Sequence, residues 1–209
     1  MYNINEVFMK SAAVFFADGF EDVEALCPVD YLRRAGINVL TVGVKGKNEG
    51  KLFITTSSHN VPIVMDMSIE EYFNNYSSIV DCVICPGGSL GAENLANNKK
   101  LLAHLQDSWN NGKIVAAICA SPAVVLGKTE ILKERKWTCY PDMESHAKSE
   151  FLSGYKNKTF IEDGNLITAR GPGASEEFAM QIVKKMCGEE VFAKIRKGTQ
   201  QTPHSDKVF

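Results

Sequence analysis

Residues able to do covalent or acid–base chemistry fall in three short segments of this chain. The first is Ala17-Asp18-Gly19-Phe20-Glu21-Asp22-Val23-Glu24, which concentrates carboxylates. The second is the turn Pro86-Gly87-Gly88-Ser89. The third is Ile118-Cys119-Ala120-Ser121-Pro122, which carries a cysteine directly after an apolar run. A cysteine at the start of a helix has a reason to react, because the helix dipole and free N–H groups stabilise a thiolate. Ser121 suits an N-cap and Pro122 a first helical position, so Cys119 is expected between a strand and a helix. Such a turn has the form of a nucleophile elbow. Backbone N–H groups after Cys119, with Gly88 close by, would then form an oxyanion hole.

Each segment also has a plainer reading. Free cysteines are commonly buried for packing alone. Acidic residues at a helix start are favoured by the dipole without any catalysis. The residues by themselves leave both alternatives open.

The other cysteines offer less. Cys82 and Cys85 form a C-x-x-C pair inside the apolar run Ile79 to Cys85, whereas a redox pair normally opens a helix. A structural zinc site needs a second pair, and the sequence has none at suitable spacing, so no metal is expected. Gly87-Gly88 does not continue as a dinucleotide or phosphate loop.

The elements that must hold these segments follow from short apolar runs alternating with amphipathic stretches. Strands are predicted at 11–17, 37–44, 79–85, 113–118, 137–140 and 166–169, with short strand pieces at 52–56 and 61–65. Helices are predicted at 20–35, 68–75, 93–110, from 121, and at 174–187. Gly36 ends the first helix. Ser68 and Glu71 form a capping box. Phe178, Ile182 and Met186 share one face of the last helix. Residues 45–51 read as a loop, and 198–209 as a polar, flexible tail.

Continuous apolar strands separated by helices imply a sheet covered on both faces. The fold class is therefore α/β: a flavodoxin-like, doubly wound, mostly parallel sheet sandwiched by helices. Ligands in such folds bind at the carboxyl ends of the strands, where all three segments converge. A length of 209 residues at 44% hydrophobic content suits one domain, 1–209. The balance of 23 basic and 25 acidic residues gives no footprint for nucleic acid or a membrane surface. No apolar run reaches the roughly 20 residues that span a bilayer. Met1 to Lys10 lacks the apolar core of a signal peptide, so a cytoplasmic location with reduced cysteines is expected.

Taken together and in order, five segments resemble the DJ-one/ThiJ/PfpI superfamily, in its parkinsonism-associated branch. They are the acidic segment 17–24, Pro28 to Gly36, Pro86 to Ala92, Ala116 to Pro122 and Thr168 to Gly173. Each is weak alone, and jointly they are specific. The resemblance implies a homodimer, with Cys119 as the oxidation-sensitive nucleophile. Glu24 matches the family glutamate that, when protonated, donates to the cysteine sulfur. Gly88 and Ala120 match the backbone donors of the pocket, and Gly87, Tyr140, Arg170 and Pro172 match pocket positions. Arg34 matches a position at the dimer interface near the site.

Two departures limit what carries over. Many relatives have a histidine where this chain has Tyr140, a poor base at neutral pH. The peptidase branch has a histidine directly after its nucleophile, where this chain has Ala120, which disfavours proteolysis. His146 reads as a surface histidine, Cys139 as strand packing, and His59 as a loop residue where relatives often carry an arginine. The function implied is thiolate chemistry on a small reactive aldehyde or a glycated adduct, of glyoxalase or deglycase type, with no cofactor. The alternative is a non-enzymatic oxidative-stress sensor or redox-regulated chaperone working through Cys119 oxidation. An older thiamine-pathway label for the family finds no support in these residues.

Overall fold

The computed structural model describes residues 10–202. In chain order the elements are β1 (Ser11–Ala17), α1 (Asp22–Arg34), β2 (Asn38–Lys45), β3 (Lys47–Glu49), β4 (Leu52–Thr56), β5 (Pro62–Val64), β6 (Met67–Ser68) and α2 (Ile69–Asn75). They continue with β7 (Cys82–Cys85), α3 (Ser89–Ala96), α4 (Lys99–Asn110), β8 (Ile114–Ile118), α5 (Ser121–Val124), β9 (Phe160–Asp163), β10 (Leu166–Ala169), α6 (Ser175–Cys187) and α7 (Glu189–Thr199).

A seven-stranded sheet in the order β6-β2-β1-β7-β8-β10-β9 runs through the centre. Every neighbouring pair is parallel except β9 with β10, at one edge. The central strands are buried on both faces, which is why they read as unbroken apolar runs. Phe15, Phe16, Trp137, Phe151 and Phe178 are among the largest buried side chains. Phe178, Ile182 and Met186 all face inward from α6, as their spacing requires.

The chain runs outward from β1 to β2 and β6, then returns to place β7 on the other side of β1. The order therefore switches between β1 and β7, which is where a doubly wound sheet opens a crevice. The strands ending at Ala17, Cys85 and Ile118 are three consecutive neighbours in the sheet. That adjacency brings the three chemical segments to one edge.

Several local expectations are corrected. Residues 45–51 are not a plain loop: β3 pairs antiparallel with β4, and β4 with β5, forming a small separate sheet. The helix expected over 93–110 is two helices, α3 and α4, broken at Asn97 and Asn98. Asn98 leaves helical geometry and its side chain accepts from the Leu101 N–H at 3.0 Å, so it caps α4 instead of continuing α3. Asn98→Ala is expected to cost about 1 kcal/mol of stability, measured by urea unfolding. Residues 137–140 form a single bridge, Trp137 to Tyr155, not a strand, and β9 takes the sheet edge. The strand expected from Ile79 begins at Cys82, and Ile79 is exposed.

The expected tail from Gly198 is also revised where it is described. Gly198 and Thr199 belong to α7. Gln201 is buried and donates to Glu177, which pairs with Arg196 at 3.0 Å. Residues 203–209, and the N-terminal residues 1–9 on which the targeting expectation rests, lie outside the described residues. No described helix is long and apolar enough to cross a membrane.

Candidate functional site

Cys119 occupies the first position after β8 with φ +63°, in the left-handed region that a non-glycine residue adopts at a cost. Neighbouring backbone holds it there. Its N–H donates to Ala169 O at 2.9 Å, and its carbonyl accepts from the Tyr140 N–H at 2.8 Å. The N–H groups of Gly88 and Ala120 donate toward its sulfur. One donor lies on the turn after β7 and the other directly follows the cysteine.

The capping arrangement differs from expectation. Ser121 is the first residue of α5, not its cap, and its hydroxyl donates to Pro86 O, tying the β8 turn to the β7 turn. α5 is one turn long. A helix this short supplies little dipole. The lowered thiol pKa expected from the sequence is not found. Burial first, and then the Glu24 carboxyl, push the Cys119 thiol up, opposed by the two backbone N–H groups.

Glu24 lies in the first turns of α1 and is fully buried. The Glu21 side chain caps this helix by accepting from the Glu24 N–H at 2.8 Å. The carboxyl of Glu24 accepts from the Gly87 N–H at 3.0 Å through Oε2, while Oε1 has no nitrogen or oxygen partner. It stands within hydrogen-bonding reach of the Cys119 thiol. Burial raises the Glu24 pKa to about 7, against hydrogen bonds from Cys119 and Gly87 that lower it. A carboxyl so placed holds a proton near neutral pH and can donate it to sulfur. The two groups share one buried site and titrate as a pair.

Gly87 and Gly88 let the chain pass between these groups. A Cβ on Gly87 would lie 2.5 Å from Glu24 Oε2 and 2.6 Å from Cys119 Cβ. A Cβ on Gly88, at φ +84°, would lie 2.3 Å from Gly19 O. Gly87→Ala is therefore expected to push the carboxyl and the thiol apart. The loss is about 1–3 kcal/mol of stability, read by urea unfolding, together with a changed rate of Cys119 alkylation.

The remaining expected positions divide. Tyr140 is joined to Cys119 through its backbone, and its half-exposed ring lies against Gly171, where a Cβ would be 3.2 Å from Cδ2. Arg170 follows Ala169, the partner of the Cys119 N–H, so it borders the site. Pro172 is exposed on the turn before α6. Arg34 is not brought to the thiol. It lies at the far end of α1 from Glu24, roughly 15 Å along the axis, paired with Asp30 at 2.7 Å. Cys139 is buried, with its thiol donating to Tyr140 O. His146 is exposed and bonds the Met143 carbonyl. Cys82 and Cys85 are fully buried in β7, and burial pushes both thiols up.

One arrangement was missed from the sequence. His59 Nδ1 meets Asp22 Oδ2 at 2.5 Å at the start of α1. Nothing in the spacing of residues 22 and 59 signals it; the tertiary fold alone makes the pair. Among the described residues, Glu21, Asp22 and His59 are the one group with potential ligand atoms within 4.8 Å of one another. Helix capping by Glu21 and the Asp22–His59 pair already account for that closeness.

Comparison with known proteins agrees with this geometry. Residues 10–185 match the DJ-1/PfpI family. Protein dj-1beta of Drosophila melanogaster is 37% identical over 190 residues, 90% of this chain and 96% of that protein. Parkinson disease protein 7 homolog of Danio rerio is also 37% identical, over 90% of this chain and 95% of that protein. The crystal structure of Drosophila DJ-1beta superposes with a TM-score of 0.81 at 34% identity, covering 93% of this chain and all of that one. Oxidised Toxoplasma gondii DJ-1 gives a TM-score of 0.81 at 29% identity, over 91% and 98% of the two chains. With the family match spanning residues 10–185 and relatives 37% identical over nine-tenths of the chain, the chain belongs to the DJ-1/PfpI family.

Proposed function

We propose that this protein is a cysteine-dependent stress-response protein that converts reactive α-oxoaldehydes to hydroxy acids without glutathione. One observation carries the reading: a fully buried carboxyl, with one oxygen unpartnered, stands beside a thiol held in a strained turn. In the reactive form, reached against the burial that favours a neutral thiol, the proton sits on Glu24 and the charge on sulfur, where the Gly88 and Ala120 N–H groups and the Glu24 O–H stabilise it. The thiolate adds to the aldehyde carbon, forming a C–S bond, and the aldehyde oxygen takes the proton from Glu24. Glu24, now a carboxylate, moves a proton from that carbon to the neighbouring one, and the hydroxyl proton passes to the neighbouring carbonyl oxygen. The product is a hydroxyacyl thioester on Cys119. Water cleaves its C–S bond, so aldehyde plus water gives hydroxy acid and free thiol. The same chemistry on a glyoxal-modified amine or thiol would be deglycation.

A second reading is supported by the relative from Toxoplasma gondii, which is described in an oxidised form. Here Cys119 is an oxidative-stress sensor, or the switch of a redox-regulated chaperone, and the same backbone N–H groups hold its oxidised sulfur. Both readings place the protein in the cytoplasm as a homodimer. In the dimer, the exposed Val23 and Leu26 on α1 offer apolar surface to a second copy, which light scattering checks.

Steady-state conversion of methylglyoxal to lactate by the purified protein, without glutathione, tests the first reading. Turnover is expected, and inert protein overturns it. Intact mass after mild peroxide tests the second. Oxygen gained first at any cysteine other than Cys119 overturns sensing.

A further inference from the structure

The buried Glu24 serves the proton step between carbons, but release of the acyl group needs an activated water, and Tyr140 stands where a histidine base is expected. A histidine is present on a different segment. His59 Nδ1 faces Asp22 Oδ2 at 2.5 Å, which fixes the ring and leaves Nε2 free. A carboxylate holding a histidine through one nitrogen, with the other nitrogen available, is the arrangement by which a triad orients its base. The Asp22 side chain is 20% exposed and the His59 side chain 68% exposed, so the ring stands where water arrives.

The turn that carries His59 is anchored to the site. Ser58 N–H donates to Phe20 O at 2.8 Å, and Ser57 bridges to Phe20. The next residue, Glu21, presents its backbone nitrogen 2.8 Å from where a Gly88 Cβ would be. Gly88 in turn donates to the Cys119 sulfur. Backbone contacts therefore link the turn that carries His59 to Phe20, whose neighbour Glu21 packs on Gly88, and the exposed ring stands on the surface of that linked segment.

We propose that Asp22 and His59 form an acid–base dyad at the open side of the Cys119 site, with His59 activating the water that releases the acyl group. The proposal rests on the thiolate reading above. Neutral His59 Nε2 takes a proton from water, the hydroxide attacks the thioester carbonyl, and the C–S bond breaks. The protonated ring then returns its proton to the leaving thiolate. The charged groups facing the ring are Asp22, at the start of α1, and Glu21, the residue that caps it; its own turn supplies only Ser57 and Ser58. Both carboxylates favour the imidazolium, so the active neutral form is populated above the usual histidine range of about 6.5.

The test is rapid-quench intact mass together with pH–kcat profiles for wild type, His59→Gln and Asp22→Asn, using methylglyoxal. His59 is exposed, and thermal melts should show that its variant folds normally. In His59→Gln, kcat is expected to fall roughly 10²-fold, with acyl-enzyme accumulating on Cys119 and the acidic limb of the profile lost. Asp22→Asn should move that limb to lower pH. Wild-type kcat and profile in His59→Gln, without acyl-enzyme, would overturn the dyad alone. Wild type that forms no lactate would overturn the thiolate reading and the dyad with it.

Discussion

Cys119→Ala is expected to abolish conversion of methylglyoxal to lactate, lowering kcat by at least about 10³-fold. The variant should fold, because alanine removes only a sulfur from a position whose backbone is held by Ala169 and Tyr140. Glu24→Gln separates the two roles assigned to the carboxyl. Glutamine keeps the volume and an oxygen to accept from the Gly87 N–H, but it cannot carry a proton between carbons. Turnover should fall roughly 10²- to 10⁴-fold while addition of the aldehyde to Cys119 persists, seen as an intact-mass adduct. Full activity in either variant would remove the thiol–carboxyl pair from the mechanism. If wild type is inert while Cys119 is oxidised selectively, the site serves sensing, and the absent histidine at position 140 is the physical reason.

Burial of Glu24 also predicts an unusual pH dependence of stability. Its pKa rises from 4.5 to about 7 on folding, chiefly by desolvation. The folded state thus binds this proton more tightly than the unfolded chain does. The associated stability is fully present below pH 4.5 and is lost as pH rises through about 7. The shift corresponds to roughly 3 kcal/mol for this one group. Wild type should therefore have a lower urea midpoint at about pH 8 than at about pH 5, and Glu24→Gln should remove most of that difference. An unchanged pH slope in Glu24→Gln would show that the carboxyl ionises freely in the folded state.

The fold was legible in the sequence because its signals are local. Apolar runs such as Ser11 to Ala17 can only be strands buried on both faces, and a Gly after Ala35 can end a helix by itself. Boundaries failed where two local tendencies compete. Asn98 belongs to a helical pattern but stabilises a cap more than a continuing turn, so one helix became two. The polar stretch 45–51 carried no alternation, and its strand exists only because β4 lies beside it.

The site divides along the same line. Cys119 and the glycine turn stand out because each follows a buried strand, whereas Glu24, inside α1, was named only through the family resemblance. Their electrostatics were not legible. The sequence suggested a helix dipole lowering the thiol pKa, but α5 proved a single turn, and burial beside Glu24 dominates in the opposite direction. Desolvation depends on everything packed around a group, and that is a property of the assembled core. The Asp22–His59 pair shows the limit most plainly. Its two residues lie 37 positions apart on unrelated segments. The sequence by itself determined which reactive residue types fall at the ends of buried strands. Only the tertiary structure decided which charges they feel and which carboxylate holds His59, because both depend on distances between segments that no local pattern encodes.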